Sequence, residues 1–100
     1  MGTHLRQQLD YLFNPASVAL IGASNNFAKW GFHVLSLLID KGGRPIYPIN
    51  KTENEVQSLK AYPSVSQVPG PVDLAVITVP IREVPAAIRD CARKGVKIAV

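Results

Sequence analysis

Apolar positions along the chain follow two patterns. Val18 to Ile21 is an unbroken apolar run, as in strands covered on both faces. Ile46 to Ile49, Val72 to Val79 and Val96 to Val100 are further short, mainly apolar segments that read as strands. Between them the apolar residues recur with helical spacing. Trp30, Val34, Leu37 and Leu38 mark the inner face of a helix over Lys29 to Asp40; Val84, Ile88 and Cys91 mark one that Pro85 opens and that runs to about Lys94. Thr3 can cap an N-terminal helix whose stripe is Leu5, Leu9 and Leu12, closed by Asn14-Pro15 and expected to pack over the sheet. Lys41-Gly42-Gly43 and Gly95 end the later helices with residues suited to a left-handed cap. Pro48 interrupts the second strand and places it nearer a sheet edge, whereas Pro80 stops the third.

Asn50 to Pro71 is the least regular stretch: a helical turn over Glu53 to Ser58, a short strand over Leu59 to Tyr62, then a loop punctuated by Pro63, Pro69, Gly70 and Pro71. The alternation of strands and helices predicts an α/β fold, a Rossmann-type parallel sheet with helices on both faces. No helix follows the last strand, so the fold is expected to be truncated there, and residues 1–100 are read as one domain of a longer multidomain protein.

Composition narrows the class only a little. The 100 residues, 47% hydrophobic and 18% charged, suit one globular domain. A net charge of +4 fits a phosphorylated small molecule as well as nucleic acid. No basic run and no interleaving of aromatic with basic residues supports a nucleic-acid surface, so none is expected. Cys91, the single cysteine, rules out an internal disulfide and points to a reducing compartment. No apolar run reaches the ~20 residues of a membrane span, and the first residues lack the order of a secretion signal, so a cytoplasmic protein without membrane contact is expected.

The candidate chemistry gathers at the carboxyl ends of the strands. Ligands of open α/β sheets bind there, where strand order reverses. With the first strand central, Gly22 to Lys29, Pro48 to Lys51 and Val79 to Arg82 would line one crevice. The turn Gly22-Ala23-Ser24-Asn25-Asn26 joins a strand to a helix N-terminus, whose first amides have no partner and whose dipole favours an anion. It departs from the dinucleotide fingerprint, since Ser24 stands in place of the second glycine. The same turn also reads as a plain strand-helix connection in which Ser24 or Asn26 caps the helix. Gly31 stands where a side chain would hold the helix away from the first strand.

The second strand ends in Asn50-Lys51, where an NAD site carries an acidic residue for the ribose hydroxyls. A lysine attracts a ribose phosphate instead, which points to coenzyme A or NADP before NAD, unless Lys51 is an ordinary solvated lysine.

The ordered segments LFNPASVALIGASNNFAKWG, YPIN-K, KAYPSV, VDLAVITVP and GVKIAV resemble the CoA-binding domain of NDP-forming acyl-CoA synthetases, including the ADP-forming acetyl-CoA synthetases. The domain is similar to the N-terminal part of the succinyl-CoA synthetase alpha subunit, and also occurs in acetyltransferase-fused bacterial proteins. The resemblance runs from about Leu9 to Val100. It implies that Gly22, Ala23, Ser24, Asn25 and Asn26, with Lys29 nearby, hold CoA phosphates. It also implies that Lys51, beside Pro48 and Asn50, meets the phosphorylated ribose, and that Val79 and Pro80 lie near the adenine and pantetheine path.

Two features depart from that pattern. Gln57-Ser58 stands where the family often has a glycine, and the chain stops before a later CoA-touching segment. The family's phosphorylated histidine belongs to another domain, and neither His4 nor His33 matches it; both read as surface or half-buried residues.

The implied reaction is acyl-CoA + NDP + phosphate ⇌ acid + CoA + NTP. CoA or acyl-CoA is held here, ATP or ADP and phosphate elsewhere, and the other domains or subunits are the partners. The rival readings are a CoA-sensing regulatory domain of a protein acetyltransferase and an NADP-binding oxidoreductase domain. No catalytic or metal-ligating constellation is expected: Cys91 reads as core, and Asp73, Glu83 and Asp90 lack a spacing for acid-base work.

Overall fold

The structure, a computed structural model, describes residues 2–100, with side chains from His4 onward. The cap expected from the Thr3 side chain therefore lies outside the described residues. The elements run α1 (Gly2–Phe13), β1 (Val18–Ile21), α2 (Trp30–Lys41), β2 (Ile46–Ile49), β3 (Glu55–Val56), β4 (Leu59–Lys60), β5 (Leu74–Ile77), α3 (Val84–Lys94) and β6 (Ile98–Ala99). Single turns of 3-10 helix at Val65–Gln67 and Ile81–Glu83 lie between β4 and α3.

The main sheet has the order β2-β1-β5-β6, every pairing parallel, with Val18 opposite both Ile46 and Leu74. β1 is central, and its four residues are all buried, as an unbroken apolar run demands. Its side chains alternate between faces. Ala19 and Ile21 pack with Ala87 and Cys91 of α3, whereas Leu20 packs with Leu35 of α2. Helices thus cover opposite faces, and the expected Rossmann-type α/β architecture is the one observed.

β2 lies at the sheet edge, as Pro48 predicts. Pro48 C=O accepts from Tyr62 N–H on the side away from β1, so the amide hydrogen that proline lacks is missing from the outer rim, and the ladder to β1 is intact.

Several expectations are corrected. The helical turn over Glu53 to Ser58 is instead a hairpin, β3 paired antiparallel with β4. Its turn residues Gln57 and Ser58 take φ of 49° and 69°. Tertiary anchors override local preference there: the Asn25 amide donates to Glu55 C=O and accepts from Gln57 N–H, and Val56 is fully buried under α2.

On α2 the inner face is Gly31 and Leu35, flanked by Val34 and Leu38; Trp30 and Leu37 are about 70% exposed. On α3 it is Ala87 and Cys91, and Ile88 faces outward. On α1, Leu5 and Leu9 of the expected stripe are exposed and Leu12 is half-buried, so the stripe does not seal the sheet; the helix packs beside β6. β5 and β6 are shorter than their apolar runs. No helix among the described residues is long and apolar enough to cross a membrane.

Candidate nucleotide-binding cleft

The chain moves from β1 to β2 in one direction and then jumps back across β1 to β5, so strand order reverses between the carboxyl ends of β1 and β5. A cleft of about 680 Å³ opens there. All three segments picked out from the sequence contribute: Gly22, Ala23, Ser24 and Lys29 from the first, Asn50 and Lys51 from the second, Val79, Pro80 and Arg82 from the third.

The floor is set by close backbone approach. Gly22 has φ of +100°, and a Cβ on it would come within 2.5 Å of the Thr78 hydroxyl oxygen. A Cβ on Gly31 would lie 1.9 Å from Gly22 C=O, so only glycine lets the first turn of α2 rest on the end of β1. The Thr78 hydroxyl donates to Ile21 C=O at 3.0 Å and ties β5 to the same point.

The loop from Ser24 to Lys29 is ordered by its own side chains. Ser24 Oγ accepts from Asn26 N–H, Asn26 Oδ1 accepts from Ala28 N–H, and Asn26 C=O accepts from Lys29 N–H. These bonds end before the helix, and no side chain caps the first turn of α2. Neither Ser24 nor Asn26 caps the helix, contrary to the capping role that a plain strand-helix connection would give them. An uncapped helix N-terminus at the rim of a cleft can accept an anion on its free amides.

Asn25, Asn26 and Pro48, grouped with the candidate ligands from the sequence, do not line the cleft. Asn25 clamps the β3–β4 hairpin, Asn26 shapes the loop, and Pro48 is buried in β2. Asn50 lines the cleft and braces it. Its Nδ2 donates to Ala23 C=O at 2.9 Å, while its Oδ1 accepts from the amides of Thr52 and Glu53. The lysine that follows is held at the mouth by this turn. Lys51 Nζ sits 3.2 Å from Glu83 Oε1 across the opening.

Other lining residues escaped the sequence reading. Trp30, read as core, is 72% exposed at the rim. Ala86, Asp90 and Arg93 line the cleft from α3 at helical spacing, a stripe of small and then charged residues that could have been read as a rim facing a ligand. Pro63 and Ser64 come from the irregular stretch, which carried no periodic signal. The cleft is thereby lined by the cations Lys29, Lys51, Arg82 and Arg93 against the carboxylates Glu83 and Asp90, an excess that suits a polyanion.

No group of metal-ligating side chains occurs among the described residues. Cys91 is buried in the core, and burial, with Asp90 beside it, pushes its thiol above the ordinary range, so it is not poised as a nucleophile. His33 is half-buried, its Nε2 bonded to Phe27 C=O and its ring among Phe27, Phe32 and Trp30; His4 is exposed.

A doubly wound sheet with a cationic cleft at its reversal point is the arrangement found in domains that bind phosphorylated, nucleotide-type ligands. Comparison with known proteins makes the class specific. Residues 16–100 match the model of the CoA binding domain family, and the chain belongs to that family. It is 49% identical over 89 residues to the alpha subunit of the ADP-forming acetate–CoA ligase II of Pyrococcus furiosus, covering 89% of this chain and 20% of that one. Among solved structures it is similar to the dinucleotide-forming acetyl-coenzyme A synthetase 1 of Ca. Korarchaeum cryptofilum in complex with phosphate and ADP. That match has a TM-score of 0.88 and 47% identity, covering 91% of this chain and 20% of that one. A conserved hypothetical protein of Pyrococcus furiosus, TM-score 0.76 and 35% identical, matches 83% of this chain and 71% of its own. The chain spans about a fifth of the length of the first of these relatives.

Proposed function

We propose that this chain is the CoA-holding domain of an NDP-forming acyl-CoA synthetase, acting in the cytoplasm with the other domains or subunits of that enzyme. The observation that carries the reading is the meeting, in one cleft, of the uncapped α2 N-terminus beside Gly22 with Lys51 from the neighbouring strand. CoA carries a pyrophosphate and a ribose 3′-phosphate, anions that these two features suit. Gly22 and Ala23 N–H are taken by Ile49 C=O, so the Ser24 amide and the first amides of α2, with Lys29, would hold the pyrophosphate. Lys51, set by Asn50, would meet the ribose phosphate, and Val79 and Pro80 would offer an apolar wall to adenine or pantetheine. Asn25, Asn26 and Pro48 would serve by holding those loops in place.

The domain's contribution is to position. Holding CoA in one orientation brings its thiol to an acyl phosphate formed elsewhere and removes the entropic cost of their encounter. The domain itself supplies no acid, base or nucleophile to that step. The relatives with ligase names favour the synthetase over an acetyltransferase regulator or an NADP-dependent oxidoreductase.

Calorimetric titration with CoA, 3′-dephospho-CoA, NADPH and NAD tests the reading. CoA is expected to bind most tightly, and loss of the 3′-phosphate to weaken it. In Lys51→Ala the two CoA forms should bind within about twofold of one another, because the charge that separates them is gone. NADPH binding above CoA would contradict the proposal.

A further inference from the structure

Among the described residues Glu83 is the carboxylate in contact with Lys51, the cation at the mouth of the cleft, and holding CoA as proposed does not use it. It closes the 3-10 turn after Pro80, lines the cleft, and reaches across the mouth to Lys51 at 3.2 Å. The two side chains come from opposite lips, one following β2 and the other preceding α3, with β1 between them. Lys51 is 80% exposed and Glu83 35% exposed, so both ends of the pair are open to solvent and the pair is not fixed by packing. Arg82, next to Glu83, also lines the cleft and among the described residues has no carboxylate partner.

We propose that Glu83 is a specificity-determining residue that occupies the phosphate position on Lys51 when the cleft is empty and yields it to the ligand's phosphomonoester. The proposal rests on the reading of the cleft as a CoA site. A phosphomonoester carries about −1.5 to −2 charges near neutral pH, against one on a carboxylate, so it outcompetes Glu83 for the ammonium group. A ligand without that phosphate leaves the pair intact and neither gains from Lys51 nor disturbs Glu83. The displaced carboxylate then lies beside a like charge, which weakens the complex and favours release once the product has formed. Glu83 therefore sets how much the extra phosphate is worth, and the exchange at Lys51 keeps the bound state readily reversible.

Titrations of wild type, Glu83→Gln, Lys51→Ala and the double variant with CoA and 3′-dephospho-CoA read this directly. Glu83→Gln should bind CoA about three- to fivefold more tightly, the scale of one solvent-exposed charge interaction, with dephospho-CoA changed less than about twofold. The gain should shrink below about twofold in the Lys51→Ala background, and CoA should dissociate more slowly from Glu83→Gln than from wild type. Wild type that prefers CoA to its dephospho form, with Glu83→Gln unchanged or weaker toward CoA, overturns the proposal alone. Wild type that binds neither form overturns it together with the reading of the cleft.

Discussion

Gly31 and Gly22 approach each other more closely than any side chain permits, and the cleft depends on that approach. A methyl group at Gly31 would sit 1.9 Å from Gly22 C=O, a backbone atom that cannot swing aside. Gly31→Ala should therefore push α2 off β1 and destabilise the fold by about 3 kcal/mol, at the upper end of overpacking costs. Urea unfolding checks this, and an unchanged midpoint would contradict the close contact. The position was legible in the sequence, because a strand, a small-residue turn and a glycine in the first turn of the following helix form a known geometric unit. Trp30, immediately before it, was not. Its place in an apolar stripe suggested core, yet Gly31 and Leu35 carry the packing and leave the indole at the rim. The small size of Gly31 rotates the contact line of the helix, and a periodicity that counts only large apolar residues misses it.

Among the elements, the β3–β4 hairpin separates what local sequence encodes from what tertiary contact imposes. Both of its turn residues have positive φ, the backbone of a tight hairpin turn, without a glycine at either position. Gln57 compensates: its Nε2 donates to Phe32 C=O at 2.9 Å and its Oε1 accepts from the Ser36 hydroxyl at 3.0 Å, fastening the hairpin to α2. Ser58 has φ of 69° and is exposed. Ser58→Gly should accordingly stabilise the protein by about 0.5–1 kcal/mol through relief of strain at an αL-like position. Gln57→Gly should destabilise it, because two side-chain bonds are lost for the same relief. Thermal unfolding of the pair checks this; stabilisation by both would show the clamp to be of no consequence. β1, β2, α2 and α3 lay open in the sequence because their patterns repeat over a whole element. The hairpin did not, since its shape comes from Asn25, Gln57 and the buried Val56, which are distant in the chain or too few to make a period.

Across the whole molecule, strand order decides where the cleft forms. Because β1 is flanked by β2 on one side and β5 on the other, the loops after all three strands rise around one opening, and residues far apart in sequence share a cleft. The charges around it follow from the same topology: Lys51 arrives from one lip, Arg82 and Glu83 from the other, and Arg93 from α3 above. At the opposite end of the sheet Asp73 accepts from Ala16 N–H and closes the chain between α1 and β1, so the two ends of the fold have separate tasks. CoA is therefore expected to act at this opening and to leave the other end of the sheet untouched. Amide chemical shifts followed by NMR during a CoA titration test this most directly. The largest changes are expected at Gly22 to Ser24, at the first amides of α2 from Trp30 onward, and at Lys51. Changes concentrated around Ala16 and Asp73, or none anywhere at saturating CoA, would contradict it.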